Sequence, residues 1–242
     1  MKQVPDRTGR FSTRPHFRPA ELDRECESAI VEFLTSVHGN VKFPVSTDDL
    51  TKLIERDTDD LDLFADLSNY GATVEGLTEF RPGHRPNVKI SSSLADDPRR
   101  ENRLRTTLTH EWGHVRFHAY LWELEAPTGG LFRRKADANR QICKRDTILD
   151  ARQTDWMEWQ AGYVCGAILM PASRVRNLVT AYFEAEGIYN CAPPGSLHAN
   201  HLIGAVAHAF AVSEDAARIR LLKLGLLGAA AAPSLFNLPP AA

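Results

Sequence analysis

Cysteine is scarce in this sequence. The four present, Cys26, Cys143, Cys165 and Cys191, form no CxxC pair, and a chain of 242 residues is long enough to need no disulfide staples, so reduced thiols are expected. No apolar run approaches the roughly 20 residues of a membrane-spanning helix. Neither sign of charge dominates. With 29 Lys and Arg against 31 Asp and Glu the formal charge is -2, and the pI is about 6.5, which gives no broad electrostatic case for a nucleic-acid or membrane surface. There is no internal repeat. No apolar stretch follows the basic opening that could serve as a secretory signal, so a cytoplasmic protein is expected. Residues 1–19, with Lys2, Arg7, Arg10, Arg14 and Arg18, read as a disordered basic arm. The remainder, 43% hydrophobic and 25% charged, is ordinary globular composition.

Periodicity then divides the chain. In residues 20–38, Leu22, Cys26, Ile30, Phe33, Leu34 and Val37 recur at helical spacing and Gly39 ends the helix. A second helix opens at Ser46 or Thr47, with acids in its first turn. Residues 71–80 and 86–94 switch to strand patterning around the turn-rich "RPGHR". The strongest helix follows, with Asp97 as cap and Pro98 as its first residue. Leu104, Leu108, Val115, Ala119 and Trp122 form its apolar stripe. Residues 126–155 are polar and irregular, with a basic cluster at Arg133, Arg134 and Lys135. A small-residue helix, "WMEWQAGYVCGAILMP", comes next, then more helices and a tail over residues 229–242. The fold class expected is α+β, mainly helical with a small antiparallel sheet, and a C-terminal helical region over residues 176–228.

Within the strongest helix stands His110-Glu111-Trp112-Gly113-His114, an HExxH motif. Residues four apart share a helix face, so the two imidazoles can close on one Zn²⁺ while Glu111 stands beside a water on that ion. Gly in a helix interior costs about 1 kcal/mol against Ala, and Gly113 therefore marks a place where another backbone approaches. A catalytic zinc takes a third protein ligand. Glu158 offers one, on a helix whose Ala161, Gly162, Cys165 and Gly166 allow close packing; Asp155 is the rival and Gln160 a poor one. His118 continues the four-residue ladder, but eight residues from His110 at 1.5 Å rise it stands about 12 Å along the axis. That is too far to share the metal, and a supporting role is expected.

With these residues in view, "RTTLTHEWGHVRFH" followed by a carboxylate helix ending in "AILMP" resembles the ImmA/IrrE family of metallopeptidases. So does the approach through "GATVEGLTEF" and "PNVKISSS" to an arginine-rich helix start. The resemblance covers about residues 45–171. It implies a zincin-like metallopeptidase domain over residues 20–175, metal ligands His110, His114 and Glu158, and Glu111 as general base. It also implies a zinc-dependent endopeptidase that cuts a protein partner, such as a helix-turn-helix repressor governing mobile elements or a stress regulon, and so acts in transcription regulation. Zn²⁺ is the expected ion, with Mn²⁺ possible at such a site. The sequence departs from the family in the long gap between His114 and Glu158, which makes residues 126–155 an insertion. It departs again at Gly162, where an Asn that orients a ligand is usual.

Further expectations attach to single residues. By analogy with peptidases of this architecture, "PNVKISSS" is an edge strand that pairs with the substrate backbone through the neighbourhood of Lys89 and Ser91. Tyr163 is tempting as an oxyanion donor but faces roughly 140° away from Glu158 on its helix. Cys143 in the insertion reads as an ordinary cysteine, with an inhibitory thiolate on the zinc as the sharper reading. "HLIGAVAHAF" and "SEDAARIRLLKLG" look like a helix-turn-helix. They raise two rival functions: a DNA-binding regulator with a structural metal site, using Arg218, Arg220 and Lys223, and a toxin-like peptidase with another target. His198, His201 and His208 read as surface or core residues and not as a second metal site.

Overall fold

A computed structural model of the chain describes residues 1–125, 140–144 and 154–228. It is an α+β fold, mainly helical, and it divides into two compact units between Pro171 and Ala172.

The first unit begins where disorder was expected. Strands β1 (Lys2–Pro5) and β2 (Thr13–His16) pair as an antiparallel hairpin. Aromatic anchors hold it: Phe11 is buried edge-on to Trp122 at 4.9 Å, and Phe17 meets Phe117 at 5.4 Å. Arg10 and Arg14 lie over the Trp122 and Trp156 rings. Residues 1–19 are therefore not a free basic arm. The apolar area of Phe11 and Phe17, and not the arginine charges, decides the conformation, because burying one aromatic ring is worth about 1.5–3 kcal/mol.

Helix α1 (Pro19–His38) ends at Gly39 in the left-handed conformation. Helix α2 (Thr47–Asp57) is capped by Ser46, whose hydroxyl accepts from the Asp49 amide. Strand β3 (Asp60–Ala65) follows, then β4 (Val74–Glu79) and β5 (Asn87–Ser91). The short α3 (Ser92–Ala95) leads to a 3₁₀ turn over Pro98–Arg100, where Asp97 accepts from the Arg99 amide, and into α4 (Glu101–His118). Helices α5 (Tyr120–Glu125) and α6 (Trp156–Leu169) and strand β6 (Arg140–Lys144) complete the unit.

The sheet runs β3-β5-β4-β6. Strands β5 and β6 both pair antiparallel with β4, and β3 pairs parallel with β5. The antiparallel β4–β5 pair was expected, but β5 is not an edge. With β3 on one side and β4 on the other, its backbone is paired along both flanks, and a substrate strand cannot add there. Lys89 instead forms a cross-strand ion pair with Glu79 at 3.2 Å, and Ser91 is buried with its hydroxyl 2.9 Å from that of Ser93. Lys89 and Ser91 thus lie off any substrate edge. The sheet edges among the described strands are β3 and β6.

Helix α4 is the central element, buried on all sides from Arg105 to Val115. Its start is pinned to β4 by Glu75, which pairs with Arg100 and Arg103. Helix α6 lies close against it at Gly113, where an added Cβ would come within 3.1 Å of the Ala161 backbone and 3.3 Å of Val164. No helix among the described residues is long and apolar enough to cross a membrane.

The second unit contains α7 (Ala172–Glu186), α8 (Leu197–Phe210) and α9 (Glu214–Lys223). Ser196 and Ser213 cap the last two, and Ala211 in the left-handed region makes the turn between them. Arg220 is buried and Arg218 pairs with Asp215 at 2.5 Å.

Candidate metal centre

Three donors converge where α4 and α6 face each other. His110 Nε2 lies 3.1 Å from Glu158 Oε2, His114 Nε2 lies 3.2 Å from Glu158 Oε1, and the two Nε2 atoms are 3.1 Å apart. All three residues are buried. Ligands of a tetrahedral ion with bonds of about 2.0–2.1 Å stand about 3.3–3.4 Å from one another, so this triangle fits a divalent cation with little adjustment. The donor chemistry fits too, since two imidazoles and one carboxylate suit zinc and neighbouring transition metals. Asp155 is not part of the group: it is exposed and sits at the start of α6, its carbonyl accepting from the Trp159 amide.

Electrostatics favour the ligating forms. Burial alone would raise the Glu158 carboxyl, but the adjacent imidazoles outweigh it and hold the group well below its ordinary value. Burial pushes His114 down against the pull of Glu158, and pushes His118 well below its usual range. A metal requires an ionised carboxylate, which the adjacent imidazoles favour at Glu158, and a neutral imidazole, which burial favours at His114.

Which nitrogen of His114 carries the proton follows from its neighbours. The Pro15 carbonyl can only accept, so at 2.9 Å it takes a hydrogen from the Gln160 amide nitrogen. That turns Gln160 Oε1 toward His118 Nε2 at 3.0 Å, placing a proton on Nε2 and leaving Nδ1 as an acceptor. His118 Nδ1 faces His114 Nδ1 at 3.0 Å, so His114 donates from Nδ1 and keeps its Nε2 lone pair free for a metal. The supporting role expected of His118 is thus an orienting one. The hairpin misread as disordered supplies the first link.

Glu111, next to His110 in the chain, is buried and is not one of the three donors. Thr78 donates its hydroxyl proton to Glu111 Oε2 at 2.5 Å. Gly76 leaves the space the carboxylate occupies, since a Cβ there would stand 2.3 Å from Glu111 Oε1. Gly76 and Thr78 alternate on one face of β4. The Gln141 amide donates to Glu158 Oε1 and accepts from Arg10. Sequence reasoning missed Gly76, Thr78 and Gln141, and weighed Gln160 only as a poor ligand. Only the Gly-x-Thr alternation in β4 carried a signal, as two small residues on the face of a strand leading toward an HExxH helix.

Tyr163 points away from the triangle and donates to Asp23 Oδ2 at 2.9 Å. Cys165 is buried as packing. The Cys143 side chain and the rest of residues 126–139 and 145–153 lie outside the described residues, as does the expected tail at 229–242. The histidines of the second unit form no metal group among the described residues; His198 accepts from or donates to the Tyr182 hydroxyl at 2.9 Å and His201 stacks on the Tyr182 ring. Comparison with protein-family models and with curated proteins gave no match.

Proposed function

We propose that the chain is a metal-dependent endopeptidase of the zincin type acting on a protein partner, with a helix-turn-helix repressor as the substrate class that the sequence resemblance implies. The observation that carries this reading is the spare carboxylate. A structural zinc is closed by four ligands and has no use for a base, whereas here three donors converge among the described residues and a second carboxylate, Glu111, adjoining His110 in the chain, is held by Thr78 in a space cleared by Gly76.

A divalent cation held by His110, His114 and Glu158 supplies Lewis acidity, polarising a substrate carbonyl and acidifying water. Zn²⁺ is favoured over Mn²⁺ by the affinity order of nitrogen-rich sites. Glu111 takes a proton from the attacking water and returns it to the leaving amine. The Thr78 hydroxyl fixes one carboxylate oxygen of Glu111. The packing that buries the donors lowers the local dielectric, which strengthens each charge interaction in the site.

Incubation with a repressor encoded beside this chain, with zinc and with a chelator, tests the reading by mass spectrometry. Cleavage is expected to require metal and to fall by about 10²–10⁴ in Glu111→Gln with metal retained. Wild-type turnover by that variant, or cleavage indifferent to chelator, would contradict it. The rival DNA-binding reading loses one of its three cations, because Arg220 is buried in its own unit.

A further inference from the structure

His110, Glu111 and His114 expose no surface, and Glu158 exposes 5%. A peptide carbonyl cannot reach imidazoles that no solvent reaches, so the conformation described is closed to substrate. The question is which element stands where substrate must go.

Among the described strands, β4 is the one whose Gly76 and Thr78 meet Glu111 on the catalytic helix. An extended chain brought to Glu111 by strand addition needs a flank of β4. One flank is β5 and permanent to the sheet. The other carries β6, a strand of five residues drawn from the stretch between α5 and α6. Its register sets Arg140 against Glu79, Gln141 against Thr78, Ile142 against Leu77 and Cys143 against Gly76, and the pairing is irregular beyond Gly76. Gln141 therefore lies opposite the residue that holds Glu111, and its amide donates to the ligand Glu158. Arg10 of the N-terminal loop holds Gln141 in turn, at 2.5 Å.

We infer that β6 is an intramolecular inhibitor strand: it occupies the flank of β4 that an extended protein substrate requires, and its departure opens the metal centre. This rests on the peptidase reading for its consequence, though not for its geometry. A five-residue edge strand paired on one side is a short ladder, exchangeable for another extended chain that makes the same backbone bonds. The substrate so admitted is an extended, unfolded or strand-donating segment of a protein. The protein is held latent until such a segment competes or β6 is released.

Two variants test this: Ile142→Pro, which breaks the ladder, and the milder Arg10→Ala, which releases Gln141. Circular dichroism confirms that each is folded. Each is loaded with zinc, and two rates are read: zinc transfer to a chromogenic chelator, and cleavage of casein as an unstructured substrate. Zinc transfer is expected to quicken about tenfold or more in Ile142→Pro, and less in Arg10→Ala, with casein cleavage rising in the same order. Unchanged zinc transfer in both folded variants, or cleavage that falls while transfer is unchanged, overturns the inference. Quickened transfer with no cleavage by any variant supports the covering role of β6 and counts against the peptidase reading instead, which separates the two.

Discussion

Replacing Gln160 with Met tests the orienting chain that runs from Pro15 to His114. Methionine nearly preserves the volume and shape of glutamine, so the contact between α4 and α6 survives, but both polar links are lost. The Pro15 carbonyl, 2.9 Å from the amide nitrogen, and His118 Nε2, 3.0 Å from the amide oxygen, are then left without that partner in a buried site. Each buried group so deprived costs roughly 1–3 kcal/mol. His118 no longer has a reason to keep its proton on Nε2, and His114 no longer has a fixed acceptor at Nδ1. Loss of an orienting partner of this kind lowers metal affinity about 10–100-fold, or roughly 1.4–2.8 kcal/mol at 1.4 kcal/mol per tenfold. The assay is competitive titration of zinc against a chelator of known affinity. Cobalt absorption and ¹⁵N shifts of the imidazoles report ligand geometry and tautomer directly. Leu53→Ala serves as control, since Leu53 is fully buried on α2, which supplies none of the three donors, and its truncation costs about 2–5 kcal/mol. Wild-type zinc affinity in Gln160→Met, or an equal loss in Leu53→Ala, would refute the reasoning.

Other outcomes follow from the same geometry. Thr78→Val removes the donor to Glu111 Oε2 while keeping the shape of the side chain, so the pH profile of cleavage shifts and the rate falls about tenfold or more at unchanged zinc content. Gly76→Ala forces a methyl group to within 2.3 Å of Glu111 Oε1, so cleavage is lost while zinc binding, measured by titration, persists. The metal-free protein loses stability in acid. His114 and His118 are both depressed below 6.5 in the fold, so as pH falls below 6.5 the unfolded chain takes up protons that the folded chain refuses, and stability drops by up to about 1.4 kcal/mol per pH unit for each imidazole. Below about 4.5, Glu158 adds to the loss in the same direction, because its folded form resists protonation. Denaturant melts of the apo protein at pH 7.5, 6.5 and 5.5 should fall in that order, and a flat or rising series would contradict the burial of neutral imidazoles.

The parts of this fold that were legible in the sequence are those set by local period. The facing of His110 and His114 follows from the 3.6-residue turn, Gly113 and Ala161 from the need for two backbones to approach, and Glu158 from its place on the helix that does so. The stripe expected through Ala119 and Trp122 outruns α4, which ends at His118 and is buried on all sides over residues 105–115. Strand β3 was hidden because Asp60 and Asp62 are poor strand formers, and missing it turned β5 into a false edge. The N-terminal hairpin was hidden because its fold depends on Phe11 and Phe17 meeting Trp122, Trp156 and Phe117, rings a hundred residues or more away. The orienting partner that Gly162 fails to supply was sought on α6 alone. It is provided by Gln160, His118 and Pro15 together, a link no spacing rule connects.

The central claim is that His110, His114 and Glu158 hold one divalent cation while Glu111 stands by without ligating it. Elemental analysis of purified protein, paired with zinc titration of single variants, tests it most directly. One zinc per chain is expected in the wild type and in Glu111→Gln, with affinity lowered more than about a hundredfold in His114→Ala and in Glu158→Ala. No bound cation in the wild type, or a Glu111→Gln variant as depleted as His114→Ala, would contradict it.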